Sequence, residues 1–150
     1  MTDTDDFLKL DQQLCFAVYA AAHAFTRFYK PRLDALGLTY PQYLVMMVLW
    51  EKDGLTVKGI GERLFLDSGT LTPLLKRLET AGLVTRRRDD IDERQVRIDL
   101  TGPGRALKAT AASVPLKVYA AGGMDQLKFN ALKADLLRLR DQLDTAIDAL

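Results

Sequence analysis

The chain has 150 residues, 48% of them hydrophobic, and a formal net charge of +1. These totals predict one globular domain with a real core, and the charge alone does not indicate nucleic acid as a partner. A single cysteine excludes an intramolecular disulfide and a cysteine-rich metal site. The acidic N-terminus lacks an apolar signal core, and the longest apolar runs are too short for a bilayer. We therefore expect a cytoplasmic protein that does not enter the membrane.

The first part of the chain has the apolar periodicity of two helices. Apolar residues recur at three- and four-residue spacing from Phe7 to Tyr29, which predicts one long helix that Pro31 ends or kinks. A second helix is expected from residue 39 or 40 to residue 50 or 51. Its segment YLVMMVLW is apolar on almost every side, so this helix should be the buried centre of the domain.

Residues 55–101 begin with two short helical periods. Thr56 can cap the first of these helices, and Asp67, Ser68 or Thr70 can cap the second. Pro73 favours a start near Thr70, because proline is best tolerated in the first turn. Gly82 should end the second helix as a left-handed C-cap.

The period then changes to two, which predicts a pair of strands. In residues 83–88 and 96–100, successive side chains alternate between two faces, as in a strand. The turn between the two segments is polar except for Ile91. A helix-turn-helix followed by a charged hairpin is a winged helix. In that fold the second helix enters the DNA major groove, and the hairpin lies beside it over the minor groove.

Basic residues crowd the winged-helix segment, although acidic residues lie among them. The candidate DNA-binding residues are Ser68, Thr70, Thr72, Lys76 and Arg77 on the recognition helix, and Arg86, Arg88, Asp92 and Arg94 on the hairpin. Arg94 is expected in the minor groove with Asp92 as its brace. Of the three consecutive strand arginines, Arg87 is the one expected to be paired internally.

The last third of the chain is predicted to be helical. Thr101 can cap a helix with Pro103 in its first turn, and Pro115 should bend or break that helix. Residues 120–123 form a small-residue hinge, and Asp125 can cap a final helix that runs to the C-terminus. An apolar stripe follows that helix: Leu132, Leu136, Leu139, Leu143 and Ile147.

The expected architecture is mainly α with a small β hairpin. It is one domain over residues 1–150, with the winged helix at 55–101 and dimerisation helices at 7–36 and 102–150. A reading head of this size cannot shield both terminal stripes, so we infer a homodimer that reads a pseudo-palindromic operator in double-stranded DNA. The alternative is that the terminal helices pack only within the monomer.

Four segments carry a resemblance to a known family. They are LCFAVY around Cys15, YKPRLDALGLTYPQYL at 29–44, LDSGTLTPLLKRLE at 66–79 and DERQV at 92–96. Together they resemble the MarR family of bacterial transcription regulators, and within it the organic hydroperoxide resistance regulators. The resemblance implies a dimeric repressor that leaves its operator when an organic hydroperoxide oxidises a reactive cysteine.

Cys15 is the candidate redox-sensing residue, since a thiolate is the nucleophile that attacks a peroxide. We expect Cys15 in the middle of its helix, too far from the helix N-terminus to gain from the helix dipole. Hydroxyl donors could stabilise the thiolate instead, and Tyr19 lies on the same helix face. The resemblance implies that Tyr29 and Tyr40 reach the thiolate across the dimer. Because the chain has no second cysteine, a small-molecule thiol is the expected resolving partner.

Three other functions fit parts of the pattern. A MarR-type repressor released by a noncovalent small aromatic ligand would share the fold and make Cys15 incidental. A thiol peroxidase would need a resolving thiol and a general acid, and neither is evident in the sequence. A structural nucleoid protein would bind DNA regardless of sequence or oxidant. The sequence therefore favours a non-enzyme without cofactor or metal.

Overall fold

The computed structural model describes residues 4–150. Two 3-10 turns, Thr4–Leu8 and Leu10–Gln12, precede the helices α1 (Leu14–Asp34), α2 (Tyr40–Glu51), α3 (Val57–Leu64) and α4 (Ser68–Thr80), the strands β1 (Val84–Arg88) and β2 (Val96–Leu100), and the helices α5 (Gly102–Ala111), α6 (Val114–Ala121) and α7 (Gln126–Asp148). The chain divides into two compact units, one that ends at Val114 and one that spans Pro115–Leu150.

The predicted single helix from Phe7 is wrong at both ends. Gln13 has an extended backbone, and its side-chain amide donates to the Lys9 carbonyl at 3.1 Å, so the preceding residues form 3-10 turns and α1 begins at Leu14. Phe7 remains 65% exposed, so helical spacing there has no core in this chain to face. At the other end α1 runs through Pro31, which is exposed, because Leu33 is buried and holds the last turn in the core.

Helix α2 is the buried centre of the first unit, as its sequence predicts. Its largest buried side chains include Tyr43, Met46 and Leu49. The helix begins with a capping box, in which Thr39 and Gln42 exchange hydrogen bonds between their side chains and backbone amides.

The turn that leads into α4 packs closely against α3 at Gly61. A Cβ on Gly61 would lie 2.5 Å from the Leu66 carbonyl oxygen, so glycine permits the close approach. Thr56 caps α3, and Asp67 caps α4 by accepting from the Thr70 amide at 2.7 Å. The predicted start of α4 near Thr70 is therefore wrong by two residues. Pro73 lies inside the helix on its exposed side, where water can satisfy the carbonyl that proline leaves without a donor.

The hairpin has the predicted strands. Val84 pairs with Leu100 and Arg88 with Val96 in an antiparallel ladder. Helix α4 connects to it through a left-handed Gly82, with the Leu83 amide bonded to the Leu78 carbonyl at 3.0 Å.

Contacts at both ends fix the hairpin to the core. The Ile98 amide donates to the Leu55 carbonyl at 2.9 Å, and the buried Ile98 side chain joins the core. Thr101 caps α5 as predicted, and Trp50 Nε1 donates to the Gly104 carbonyl at 2.9 Å, which ties α2 to α5.

The C-terminal part contains the predicted break and cap. Helix α5 ends at Ala111, and Pro115 is the second residue of α6, so the chain breaks just before the proline. Asp125 caps α7 by accepting from the Lys128 amide at 2.8 Å. The apolar stripe of α7 is largely exposed in the single chain, with Leu143 55% and Ile147 62% exposed. Between residues 4 and 150, no helix combines the length and apolar character needed to cross a membrane.

Candidate DNA-binding surface and redox site

Helix α4 separates its apolar and polar faces as a recognition helix must. Its leucines Leu71, Leu75 and Leu78 are buried against the core. The predicted DNA-binding residues Ser68, Thr70, Lys76 and Arg77 are exposed, and Thr72 is half-buried with its hydroxyl donating to the Ser68 carbonyl at 2.7 Å. The core thus fixes the orientation of α4 and leaves a polar side available to a ligand.

A cleft of about 280 Å³ lies between the starts of α3 and α4 and the hairpin. It brings together three of the predicted residues, Ser68, Thr72 and Arg94. It is also lined by Lys58 and Gln95, which the sequence analysis did not select. The nearest neighbours of Lys58 in α3 are the uncharged Val57, Gly59 and Ile60, so no adjacent charge indicated a role for it.

The hairpin arginines all have partners within the chain. Arg87 Nε donates to Asp99 at 2.6 Å, which confirms its expected internal pairing. Arg86, expected to be free for DNA, also pairs internally, with Glu79 of α4 at 3.2 Å. The sequence does not reveal this contact, because it depends on how α4 packs beside β1. Arg88 donates to the Glu93 carbonyl at 2.8 Å across the hairpin.

Arg94 lies at the hairpin tip with the expected brace. Its guanidinium donates to both carboxylate oxygens of Asp92, with Nε at 3.0 Å. This bidentate contact holds the pKa of Asp92 below its usual value. The Arg94 side chain is nevertheless 91% exposed, so it can reach a ligand while the carboxylate limits its rotamers.

The base of the turn is closed by Asp89, whose side chain is almost fully buried. Asp89 accepts from Arg97 Nε at 2.5 Å and from the Asp92 amide at 3.0 Å. Arg97 also donates to the Gly54 carbonyl at 2.7 Å, outside the hairpin. The Arg97 hydrogen bond, followed by that of the Asp92 amide, lowers the pKa of the Asp89 carboxyl.

Cys15 lies in the first turn of α1, so its predicted mid-helix position is wrong. The error follows from the helix starting at Leu14 rather than near Phe7. The thiol is exposed. First-turn amides of an α-helix have no partner within the helix, and this end of the helix favours negative charge. The helix dipole was set aside for the predicted mid-helix position, which Cys15 does not have.

The predicted tyrosines do not surround Cys15 within one chain. The Tyr19 ring lies against His23, with ring centroids 4.2 Å apart. Tyr29 and Tyr40 stack at 4.8 Å near the other end of α1. Because a helix rises about 1.5 Å per residue, Tyr29 lies roughly 21 Å along α1 from Cys15.

The cluster at the far end of α1 contains a third tyrosine, Tyr43, which the sequence analysis did not select. Its ring centroid is 5.8 Å from that of Tyr29. Burial, with smaller contributions from Tyr40 and Tyr43, raises the pKa of Tyr29 to about 12. These phenols therefore stay protonated at neutral pH and can donate hydrogen bonds.

Comparison with known proteins identifies the family. The family model described as "Transcriptional regulator SarA/Rot" matches residues 27–110. The organic hydroperoxide resistance transcriptional regulator of Bacillus subtilis is 47% identical over 143 residues, which are 95% of this chain and 97% of that protein. The chain is a transcriptional regulator of the MarR/SarA winged-helix family.

Two further relatives fit this assignment. The HTH-type transcriptional regulator TtmR of Methylorubrum extorquens is 58% identical over 142 residues, 95% of this chain and 73% of that protein. The structure of reduced AbfR bound to DNA, from Staphylococcus epidermidis, aligns with a TM-score of 0.80 at 35% identity and covers 97% of this chain and 99% of that chain. The MarR/SarA regulator described here is thus a DNA-binding protein, and the predicted fold class is confirmed.

No group of three or more histidine, cysteine or acidic side chains within residues 4–150 could hold a metal ion.

Proposed function

We propose that this regulator is a homodimeric repressor that senses organic hydroperoxides through oxidation of Cys15. The observation that carries the proposal is an exposed thiol in the first turn of a 21-residue helix. The identity of 47% to an organic hydroperoxide resistance regulator, over almost the whole of both chains, supports the same function. The proposed output is release of DNA rather than turnover of peroxide.

The proposed reaction uses the nucleophilic thiolate of Cys15. The thiolate sulfur attacks the terminal hydroxyl oxygen of the hydroperoxide, the O–O bond breaks, and the leaving alkoxide takes up a proton from solvent. The products are a sulfenic acid on Cys15 and an alcohol, so the cysteine is oxidised as the peroxide is reduced. A small-molecule thiol then condenses with the sulfenic acid, and a mixed disulfide and water are formed.

A homodimer supplies the hydroxyl donors that one chain cannot. If two α1 helices cross antiparallel about a two-fold axis near Ala22, Cys15 of one subunit lies opposite Tyr29 of the partner subunit, because residue 22 is midway between 15 and 29. The residues around this midpoint, Ala20–Ala22 and Ala24, are small and exposed, which permits close helix packing. Tyr40 stacks on Tyr29 and would accompany it to the partner's thiolate.

Exposed apolar surface supports the same assembly. Leu14 and Phe16 flank Cys15 and are 64% and 41% exposed in the single chain, and the stripe on α7 is likewise exposed. Surface of this kind is characteristic of an interface between subunits. Interleaved terminal helices would bury it and set the spacing of the two recognition helices.

The DNA-binding surface proposed for each subunit consists of the exposed side of α4, the cleft beside it and the hairpin tip. Ser68, Thr70 and Thr72 would contact base edges and phosphates, Lys76 and Arg77 would contact phosphates, and Arg94, braced by Asp92, would enter the minor groove. Arg86 and Arg88 would reach phosphates only by exchanging their internal partners. Two such surfaces would read a pseudo-palindromic operator.

The switch joins the two sites through the dimer. In the reduced state, bonds from Tyr29 and Tyr40 of the partner subunit would tie the thiolate to the facing α1. Oxidation removes the negative charge and adds bulk, so these bonds are lost and the subunits rotate. A coupling of roughly 3–5 kcal/mol suffices for release, because each 1.4 kcal/mol changes affinity about tenfold.

The decisive experiment compares wild type with Cys15→Ser in operator binding by fluorescence anisotropy. Cumene hydroperoxide or hydrogen peroxide is added with and without a small thiol. We expect release only in wild type, at lower concentration with the organic peroxide. Equal release of wild type and Cys15→Ser, or release that requires an aromatic acid instead of an oxidant, would identify a repressor controlled by a noncovalent ligand. Continuous peroxide consumption with excess thiol would identify a peroxidase.

A further inference from the structure

The hairpin tip carries an apolar side chain with no apolar neighbour in sequence. Ile91 is 96% exposed and lies between Asp90 and Asp92. A single exposed apolar residue is ordinary on a protein surface. This one lies three positions from Arg94, whose side chain is almost equally exposed, at the end of the hairpin farthest from the core.

The turn around Ile91 is held in one shape. The Asp89 amide donates to the Gln95 carbonyl, and the Gln95 amide donates to the Asp92 carbonyl, both at 2.9 Å. The Asp92 amide in turn donates to the Asp89 side chain. Because these bonds fix the turn, the exposure of Ile91 is not the result of a loose loop. A preformed turn also loses little conformational entropy when it docks.

Electrostatic attraction cannot be the main contribution of this hairpin. Residues 84–100 contain five arginines and five acidic residues, so their formal charge is zero. The arginines are also engaged by partners within the chain, as described above for Arg86, Arg87 and Arg88. Contacts to phosphates by this segment would therefore release few counterions overall. Besides the exposed guanidinium of Arg94, the tip therefore offers shape and apolar contact.

We propose that Ile91 is a DNA-contacting residue that packs against the deoxyribose walls of the minor groove beside Arg94. Removing its side chain from water is favourable, and proteins that enter the minor groove commonly use apolar side chains there. The contact adds affinity that depends on groove shape and not on salt. The proposal rests on the DNA-binding surface assigned above and adds an apolar component to it.

The test uses the reduced full-length protein and a duplex of about 30 base pairs selected from a random pool for tight binding. Dissociation constants are measured for wild type, Ile91→Ala, Ile91→Val and Arg94→Ala over a series of salt concentrations. Each duplex is also trimmed stepwise from its ends to remove the flanking minor groove. Because Ile91 is exposed, none of its variants should alter thermal unfolding.

We expect Ile91→Ala to weaken binding to the long duplex about tenfold with an unchanged salt slope, since about 1.4 kcal/mol corresponds to tenfold. Ile91→Val should stay within about twofold of wild type, whereas Arg94→Ala should weaken binding and flatten the slope. On the trimmed duplex the Ile91→Ala deficit should disappear. Wild-type affinity of Ile91→Ala, or an equal deficit on both duplexes, would overturn the role of Ile91 alone. Failure of wild type to select any sequence would overturn the DNA-binding surface as well.

Discussion

Arg97 Nε donates to Asp89 Oδ1 at 2.5 Å, and this pair connects the tip of the hairpin to the body of the helix-turn-helix. Asp89 also caps the turn through the Asp92 amide, while Arg97 reaches the Gly54 carbonyl in the connection between α2 and α3. The position of the tip, and with it that of Arg94, therefore depends on a carboxylate that does not face the DNA-binding cleft.

Replacement of this carboxylate should loosen the hairpin without unfolding the protein. In Asp89→Asn the charge-assisted bond to Arg97 is lost, so we expect faster hydrogen exchange in residues 84–97 and weaker operator binding. The matched control is Asp90→Asn, which removes the same charge from an exposed neighbouring position. Equal exchange and affinity in the two variants would show that charge alone, and not the buried contact, matters.

The Asp89 carboxylate also makes the stability of the hairpin depend on pH. Arg97 lowers the pKa of Asp89 in the folded protein below its value in the unfolded chain, which is near 3.9. The Asp89 carboxylate therefore stabilises the folded state above about pH 3.9, and this stabilisation is lost as the pH falls through the lower folded pKa. Asp67 at the start of α4 acts in the same direction, through its bond from the Thr70 amide. Urea midpoints should thus change little from about pH 7 to 5 on account of these groups and fall below about pH 4. The acid-dependent loss should be smaller in Asp89→Asn.

A pair of glycine substitutions tests the packing between α3 and α4. Gly61→Ala would bring a Cβ to 2.5 Å from the Leu66 carbonyl oxygen, so we expect the free energy of unfolding to fall by about 1–3 kcal/mol. At Gly69, on the exposed side of α4, a Cβ meets only the Asp67 side chain at 3.4 Å. Gly69→Ala should therefore raise stability by roughly 0.5–1 kcal/mol through helix propensity. Chemical denaturation of both variants would measure the contrast, and a similar change in each would contradict the close-packing explanation.

Patterns that depend on local residues predicted most of the fold. The helix periods, the caps at Thr56, Thr101 and Asp125, and the two strands of the hairpin all follow from residues that are close in sequence. The start of α1 could not be predicted from its apolar period, because that period continues through residues that form 3-10 turns. This one error moved Cys15 from the predicted middle of a helix to its first turn.

The candidate DNA-binding residues could be predicted only where the local sequence pattern indicated them. Polar residues on α4 and Arg94 at the tip follow from the winged-helix pattern. Lys58 and Gln95 do not, because they join the cleft only when α3 packs beside the hairpin. The pairing of Arg86 with Glu79 was missed for the same reason, since it depends on tertiary packing.

Lys58 provides a direct test of the cleft. If its ammonium contacts a phosphate, Lys58→Ala should weaken binding to all DNA sequences alike and reduce the magnitude of the salt slope by about 2, or about 1 for each subunit of the dimer. Lys128→Ala removes an exposed lysine from the first turn of α7 and serves as the control for net charge. Anisotropy titrations on selected and scrambled duplexes measure both quantities. A slope change of the same size in the two variants would assign the effect to total charge instead of to the cleft.

Substitutions in the tyrosine cluster at the far end of α1 should change the rate of Cys15 oxidation without changing DNA binding. Tyr29 and Tyr40 carry phenols that stay protonated at neutral pH, and they lie far from the Cys15 of their own chain. Tyr29→Phe and Tyr40→Phe keep the stacked rings, and each removes only one of the two hydroxyl donors. The remaining bond should hold the reduced dimer, so operator affinity should stay close to wild type. Oxidation of Cys15 should slow, since a hydrogen bond to a charged group is worth roughly 1.5–3 kcal/mol, or about ten- to a hundredfold in thiolate population. Stopped-flow trapping of the sulfenic acid measures that rate, and Tyr119→Phe, in the second compact unit, is the matched control. Wild-type oxidation rates in both Tyr29→Phe and Tyr40→Phe would mean that these hydroxyls do not support the thiolate, and the coupling between subunits would have to run through other contacts.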